Sequence, residues 1–123
     1  LTLDKNQIQQ VLFNILINSA EGMPRGGEIK ISIRKEPFTE FTLEQLSCVI
    51  EITDTGEGIS KGVLPKIFDP FYTTKKDKRG TGLGLYISKM IVNNHGGDII
   101  VESEKNKGTT VKIILPIKER EVA

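Results

Sequence analysis

The chain is poor in the residues that build disulfides and membrane spans. Of its 123 residues one is cysteine, one is histidine and none is tryptophan. One cysteine excludes a disulfide framework and fits a reducing compartment. Cys48, inside the apolar run Cys48-Val49-Ile50-Glu51-Ile52, reads as a small core hydrophobe. No apolar stretch approaches a membrane-spanning length and no signal peptide opens the chain, so the expected setting is soluble and cytoplasmic, leaving anchorage of a longer parent open. There is no charge excess either. Seventeen basic residues against 16 acidic ones give a net charge of +1, which excludes the broad basic field that nucleic-acid binding uses. No repeat or low-complexity tract is visible. The length suits one two-layer domain spanning 1–123, and a start at Leu1 rather than Met reads as a piece of something longer.

Several phosphate-binding signatures are absent as well. The Gly-x-x-x-x-Gly-Lys-Ser/Thr loop does not occur, and neither do the motifs of eukaryotic-type kinases. A dinucleotide fingerprint should follow an apolar strand, yet Gly80 follows Lys75-Lys76-Asp77-Lys78-Arg79. What the chain does have is two other glycine motifs. Asp54-Thr55-Gly56-Glu57-Gly58 puts an acid at the end of an apolar strand with two glycines beyond it. That lets backbone approach a flat ring while the carboxylate accepts from an exocyclic amine. Gly80-Thr81-Gly82-Leu83-Gly84-Leu85 opens a helix, where uncovered N–H groups and the helix dipole favour phosphate. Either motif alone is more often turn punctuation; together they point to a nucleotide.

Periodicity places these motifs. Asp4, with Gln7 three residues on, caps a helix expected to run to about Ala20, its apolar face formed by Ile8, Val11, Leu12, Ile15 and Leu16. Asn14 and Asn18, one turn apart, share a flank of that face. Asparagine is a poor helix former, so two in register beside a nucleotide motif favour a ligand role over amides merely satisfied by solvent. Glu28 to Arg34 alternate with Ile29, Ile31 and Ile33 on one side, as a strand does. Residues 36–46 read as a loop with a short helical turn, Cys48 to Thr53 as a central strand, and Ser60 to Phe68 as a short helix. The polar, basic stretch to Gly80 reads as a lid, approximately 69–80. A second helix is expected from Gly84 to about His95, with Leu85, Met90 and Ile91 inward, followed by a hairpin of Asp98 to Glu102 and Thr109 to Leu115. This order predicts an α/β (α+β) two-layer sandwich, a mixed sheet with helices on one face.

These residues resemble the catalytic, ATP-binding domain of sensor histidine kinases, within the wider group of Bergerat-type folds that includes the gyrase B subunit, a heat-shock chaperone family and mismatch-repair ATPases. Residues 10–20, Gln-Val-Leu-Phe-Asn-Ile-Leu-Ile-Asn-Ser-Ala, look like the asparagine box, and Asp54 to Gly58 like the first glycine box. Ile67-Phe68-Asp69-Pro70-Phe71 is similar to the phenylalanine box, and Gly80 to Leu85 to the second glycine box. His95-Gly96-Gly97 and Gly108-Thr109 match further signatures, and Asn-Ser-Ala before Gly22-Met23-Pro24, with Phe71-Tyr72-Thr73-Thr74-Lys75, looks most like the nitrogen-regulation and dicarboxylate-sensor branch.

The resemblance implies ATP and Mg²⁺ as cofactors, with Asp54 accepting from the adenine amine and Thr109 supporting that contact through water. It implies that Asn18 offers an oxygen to Mg²⁺ with Asn14 beside it, and that Gly56, Gly58, Ile59, Phe68, Thr81, Gly82, Leu83, Gly84 and Leu85 border the nucleotide. Lys75 and Arg79 are the lid cations expected on the γ-phosphate. ATPase branches carry a water-activating glutamate where this chain has Asn14, so hydrolysis should be slow; Glu21, one turn beyond Asn18, is a possible substitute but suits a solvated helix end. His95 sits in the turn after a helix, where a histidine commonly caps the dipole, so the phosphoacceptor is expected elsewhere, on a dimerising helical domain of the same parent, with a response regulator downstream. The isolated chain is expected to be monomeric. An ATP-driven clamp, an anti-sigma-type serine kinase and a nucleotide-sensing module without transfer are the rival readings.

Overall fold

The computed structural model describes residues 4–40, 43–72 and 84–117. Helix α1 (Lys5–Glu21) starts where the capping pattern places it: the Asp4 carboxylate accepts from the Gln7 N–H at 3.1 Å, satisfying one of the donors that a helix start leaves unpaired. Strands β1 (Ile29–Glu40) and β2 (Leu43–Asp54) form a long hairpin. A single 3₁₀ turn (Leu64–Lys66) stands where a short helix was expected, and α2 (Gly84–Asn94), β3 (Asp98–Glu104) and β4 (Gly108–Pro116) complete the order.

The strands lie in the order β1-β2-β4-β3, and every neighbouring pair is antiparallel. The expectation of a mixed sheet is therefore corrected for the described strands. The connection from β2 through α2 does bring β3 in parallel to β2, but β4 folds back between them and turns both contacts antiparallel. Residues 36–46 are corrected too. Of these, residues 36–40 and 43–46 continue the hairpin rather than forming a loop, with Pro37 opposite Leu46. Proline lacks a ladder donor, which an edge strand tolerates, and β1 is an edge.

Register sorts the side chains into rows on the helix-covered face. Ile31, Ile52, Val111 and Val101 form one row, and Ile33, Ile50, Ile113 and Ile99 the next. Val11 and Ile15 of α1 and Ile91 and Val92 of α2 close over them, and Cys48 packs half-buried against this core. The helices cover β2, β4 and β3 but not the edge, so Ile31 and Ile33 stay 52% and 68% exposed although they share the core's face. Met90, expected inward, is also exposed; the buried side of α2 is Ser88, Ile91 and Val92, at i, i+3 and i+4. On the opposite, solvent-facing side, Glu36, Arg34, Glu51, Lys112 and Glu102 form a chain of ion pairs across three strands and onto β3. The hydrogen bond to Glu36, with the charges of Glu36 and Glu51 adding to it, raises the Arg34 guanidinium pKa against the opposing loss of hydration.

Candidate nucleotide site

One further row lies at the end of the sheet, where the strands give way to loops: Ser103, Thr109 and Asp54, side by side across β3, β4 and β2. Asp54 is 7% exposed. Its Oδ1 accepts two backbone hydrogen bonds, from Gly56 N–H at 2.9 Å and Thr109 N–H at 3.2 Å. Its Oδ2 takes no partner among the described residues. Since no buried side-chain oxygen or nitrogen there lacks a partner, solvent reaches that second oxygen. The carboxylate is thus fixed by the backbone on one side and open as an acceptor on the other.

The loop that follows is pinned at both ends. Glu57 N–H donates to the carbonyl of Gly22, just past the end of α1, at 3.1 Å, and the Glu57 carbonyl accepts from Asn106 N–H in the β3–β4 turn at 2.6 Å. Ile59 N–H donates to Ser103 Oγ at 2.7 Å. These contacts give Gly56 and Gly58 a reason of their own to lack a side chain. A Cβ at Gly56 would come within 2.6 Å of the Gly22 carbonyl oxygen, and one at Gly58 within 2.0 Å of that of Glu104; Gly58 also has φ +70°. What approaches these glycines is protein backbone. The loop closes on α1 and on the hairpin, and that closure shapes the wall beside Asp54.

Asn14 and Asn18 are half-buried on the α1 flank, as the helical spacing requires. Asn14 Nδ2 lies 3.4 Å from both the Gly84 carbonyl and Ser88 Oγ, while Ser88 Oγ donates to the same carbonyl at 2.8 Å. The asparagine flank of α1 is thereby fastened to the first turn of α2, where the second glycine motif ends. Gly84 and Leu85 sit half-buried in that turn. Lys75, Arg79, Thr81, Gly82 and Leu83 lie outside the described residues. Phe68 packs half-buried against the core, with the Lys89 ammonium 4.5 Å from its ring centre and held on its other side by Asp98 at 3.4 Å. Phe71 is 74% exposed with φ +67°, a backbone region that an aromatic residue rarely adopts.

His95 does more than cap a helix. Its Nδ1 lies 2.8 Å from the Ile91 carbonyl, as a capping role demands, and its Nε2 is 3.1 Å from the Asp4 backbone N–H. Because an N–H must donate, Nε2 accepts and the proton sits on Nδ1. The ring joins the end of α2 to the start of α1. Sequence reasoning passed over Ser88 and Ser103; serines inside regular elements carry no motif, and only the register of Ser103 opposite Thr109 could have singled it out. Among the described residues there is no group of three or more His, Cys, Asp and Glu that could hold a metal by itself, and no helix long and apolar enough to cross a membrane.

An acid buried at a strand end, its flanking loop tied to α1, and an asparagine flank fastened to a glycine-led helix are joined here in one two-layer sandwich. Residues 3–119 match the family described as histidine kinase-, DNA gyrase B- and HSP90-like ATPases. The chain belongs to that family. Within it, this histidine kinase-like ATPase domain is 43% identical over 116 residues to sporulation kinase E of Bacillus subtilis (strain 168), covering 94% of this chain and 14% of that protein. It is 40% identical over 123 residues to the sensor histidine kinase WalK of the same organism, covering 97% and 19%. Among solved structures it superposes on the mycobacterial sensor histidine kinase MprB with a TM-score of 0.70 at 28% identity, over 92% of this chain and 72% of that one. With the nucleotide-free catalytic domain of histidine kinase ThkA the TM-score is 0.67 at 34% identity, over 93% and 69%. The chain therefore corresponds to the ATP-binding catalytic part of a histidine kinase and spans less than a fifth of the two kinases first named. These likenesses reach the kinase type, not the nitrogen-regulation branch.

Proposed function

We propose that this domain binds Mg²⁺·ATP and transfers the γ-phosphoryl group to a histidine on a separate helical dimerisation domain of its parent, from which a response regulator is phosphorylated. The observation that carries the reading is Asn14. It occupies the place where a water-activating carboxylate would serve hydrolysis, its amide nitrogen faces the Gly84 carbonyl and Ser88, and an amide cannot take a proton from water. The site is suited to hold ATP without hydrolysing it.

In this reading Asp54 Oδ2 accepts from the adenine amine, with Thr109 beside it, and Gly56, Gly58 and Ile59 form the wall against the base. Asn18, half-buried on the same flank as Asn14, would hold Mg²⁺ through its amide oxygen, and one protein oxygen suits an ion that arrives with its nucleotide. An ion held there would supply charge neutralisation at the phosphates. Lys75 and Arg79 would add cations at the γ-phosphate, and Thr81, Gly82, Leu83, Gly84 and Leu85 would offer backbone N–H groups. Transfer itself needs mostly positioning and charge stabilisation from the domain. The acceptor's ring nitrogen bonds to phosphorus as the bond to the ADP oxygen breaks, and the ring proton leaves to a base on the acceptor domain. The parent's kinase domain would act in the cytoplasm.

The test mixes the domain with a dimeric helical fragment bearing the acceptor histidine and radiolabelled ATP. Weak transfer in trans to give an acid-labile, alkali-stable product is expected, because tethering normally supplies the effective concentration. Fast phosphate release by the domain alone would favour an ATPase clamp, and acid-stable phosphoserine on a partner an anti-sigma-type kinase.

A further inference from the structure

The adenine reading leaves Ser103 without a role, yet its hydroxyl is the most connected side-chain group near Asp54. Three polar atoms surround Oγ: Ile59 N–H at 2.7 Å, the Gly108 carbonyl at 3.0 Å and Thr109 Oγ1 at 2.8 Å. A serine hydroxyl has one proton to give and lone pairs to receive with. The Ile59 N–H can only donate and the Gly108 carbonyl can only accept, so the serine proton goes to Gly108. Toward Thr109 the oxygen has only a lone pair left, and Thr109 must be the donor.

That fixes the other side of Thr109. Its single proton is spent on Ser103, and Oγ1 has no further partner among the described residues. It is left with lone pairs alone. Thr109 adjoins Asp54 in register on the same face of the sheet, and the open oxygen of Asp54 is an acceptor as well. The end of the sheet therefore offers two acceptors side by side. An exocyclic amine, or a water held by one, supplies the two protons this pair requires. A keto oxygen at the same edge sets lone pair against lone pair. From this geometry we infer that Ser103 is a specificity-positioning residue, which acts through Thr109 to make the site select a 6-amino purine over a 6-keto purine.

The inference rests on the base-site reading above, so the experiment separates the two. Binding of ADP and of inosine diphosphate is measured by calorimetry on the wild-type chain and on Ser103→Ala, Ser103→Thr and Thr109→Val. In Ser103→Ala the Thr109 hydroxyl is released to turn its proton toward the pocket, and the ADP preference should fall about three- to tenfold, the worth of one net hydrogen bond. Ser103→Thr keeps the hydroxyl and should keep the preference. Thr109→Val should lower it by a similar factor, and the Ser103→Ala/Thr109→Val pair should lower it no further, since the serine acts only through the threonine. Should Ser103→Ala fail to fold by circular dichroism, Ser103→Cys, a poor donor and acceptor of similar size, carries the same expectation. Equal loss of affinity for both nucleotides would mark Ser103 as a loop fastener and overturn the proposal, as would a further fall in the double variant. A wild-type chain that binds both nucleotides equally would sink the adenine reading and this assignment with it.

Discussion

Replacing Asp54 with asparagine separates holding the loop from reading the base. Oδ1 accepts from Gly56 and Thr109, and Oδ2 faces outward. In Asp54→Asn the amide oxygen can take over the two backbone contacts, so the loop should stay in place and the thermal midpoint close to wild type. The outward atom becomes an NH₂ group, which turns an acceptor into a donor. A hydrogen bond to a charged group is worth about 1.5–3 kcal/mol net. At about 1.4 kcal/mol per factor of ten, ADP affinity should fall roughly ten- to 150-fold. Asp54→Ala should behave differently. It leaves two backbone N–H groups without their acceptor, at about 1–3 kcal/mol each where water does not replace it. At about 4 °C per kcal/mol for a domain of this size, the midpoint should drop by roughly 8 °C or more. Calorimetry with ADP beside differential scanning calorimetry of both variants decides it. The reasoning fails if Asp54→Asn binds ADP within threefold of wild type, or if it loses as much thermal stability as Asp54→Ala.

Gly58→Ala should cost about 1–2 kcal/mol for its left-handed backbone alone, and more because the new methyl meets the Glu104 carbonyl; an unchanged melting curve would refute this account of the loop. Asn18→Ala should weaken ADP binding in the presence of Mg²⁺ more than in EDTA, whereas equal losses in both titrations would assign it to helix packing. Ile113→Ala, which empties a site 1% exposed at the sheet's centre, should lower unfolding free energy by about 2–5 kcal/mol in urea titrations. Lys112→Ala, in a solvent-facing ion-pair chain, should change it by about 1 kcal/mol or less, and a larger loss would mean that the outer face is not the screened surface described above.

The parts of the fold that the sequence disclosed are those whose signals are local. Asp4 and Gln7 announced α1, and the alternating isoleucines announced β1, because caps and periodicity depend on neighbours in the chain. Whether Ile31 and Ile33 would be covered depended on how far α1 reaches across the sheet, and no local pattern encodes that. Pro37 and its polar neighbours hid the far half of the β1–β2 hairpin, since breaker residues read as loop until the strand is known to be an edge. At the site, Asp54 and the asparagine pair were legible as residue types out of place in their elements. Ser103 was not, because its importance lies in register with Thr109, a pairing fixed by the β3–β4 turn. Gly56 and Gly58 were legible as points of close approach, and the backbone of Gly22 and Glu104 comes near them.

The imidazole bridge makes α2 a mechanical strut. One end of this helix, at Gly84, is fastened to the asparagine flank; the other is tied through His95 to the amide of Asp4, the residue that caps α1. Eleven residues at about 1.5 Å each make the strut roughly 16 Å long, so a tilt of about 5° about its Gly84 end swings the far end by roughly 1.4 Å. A displacement of that size is comparable to a bond length, large enough to break or remake the His95–Asp4 contact. The two contacts together therefore hold both ends of α2 against α1, one at the turn beside Asn14 and one where the chain enters α1.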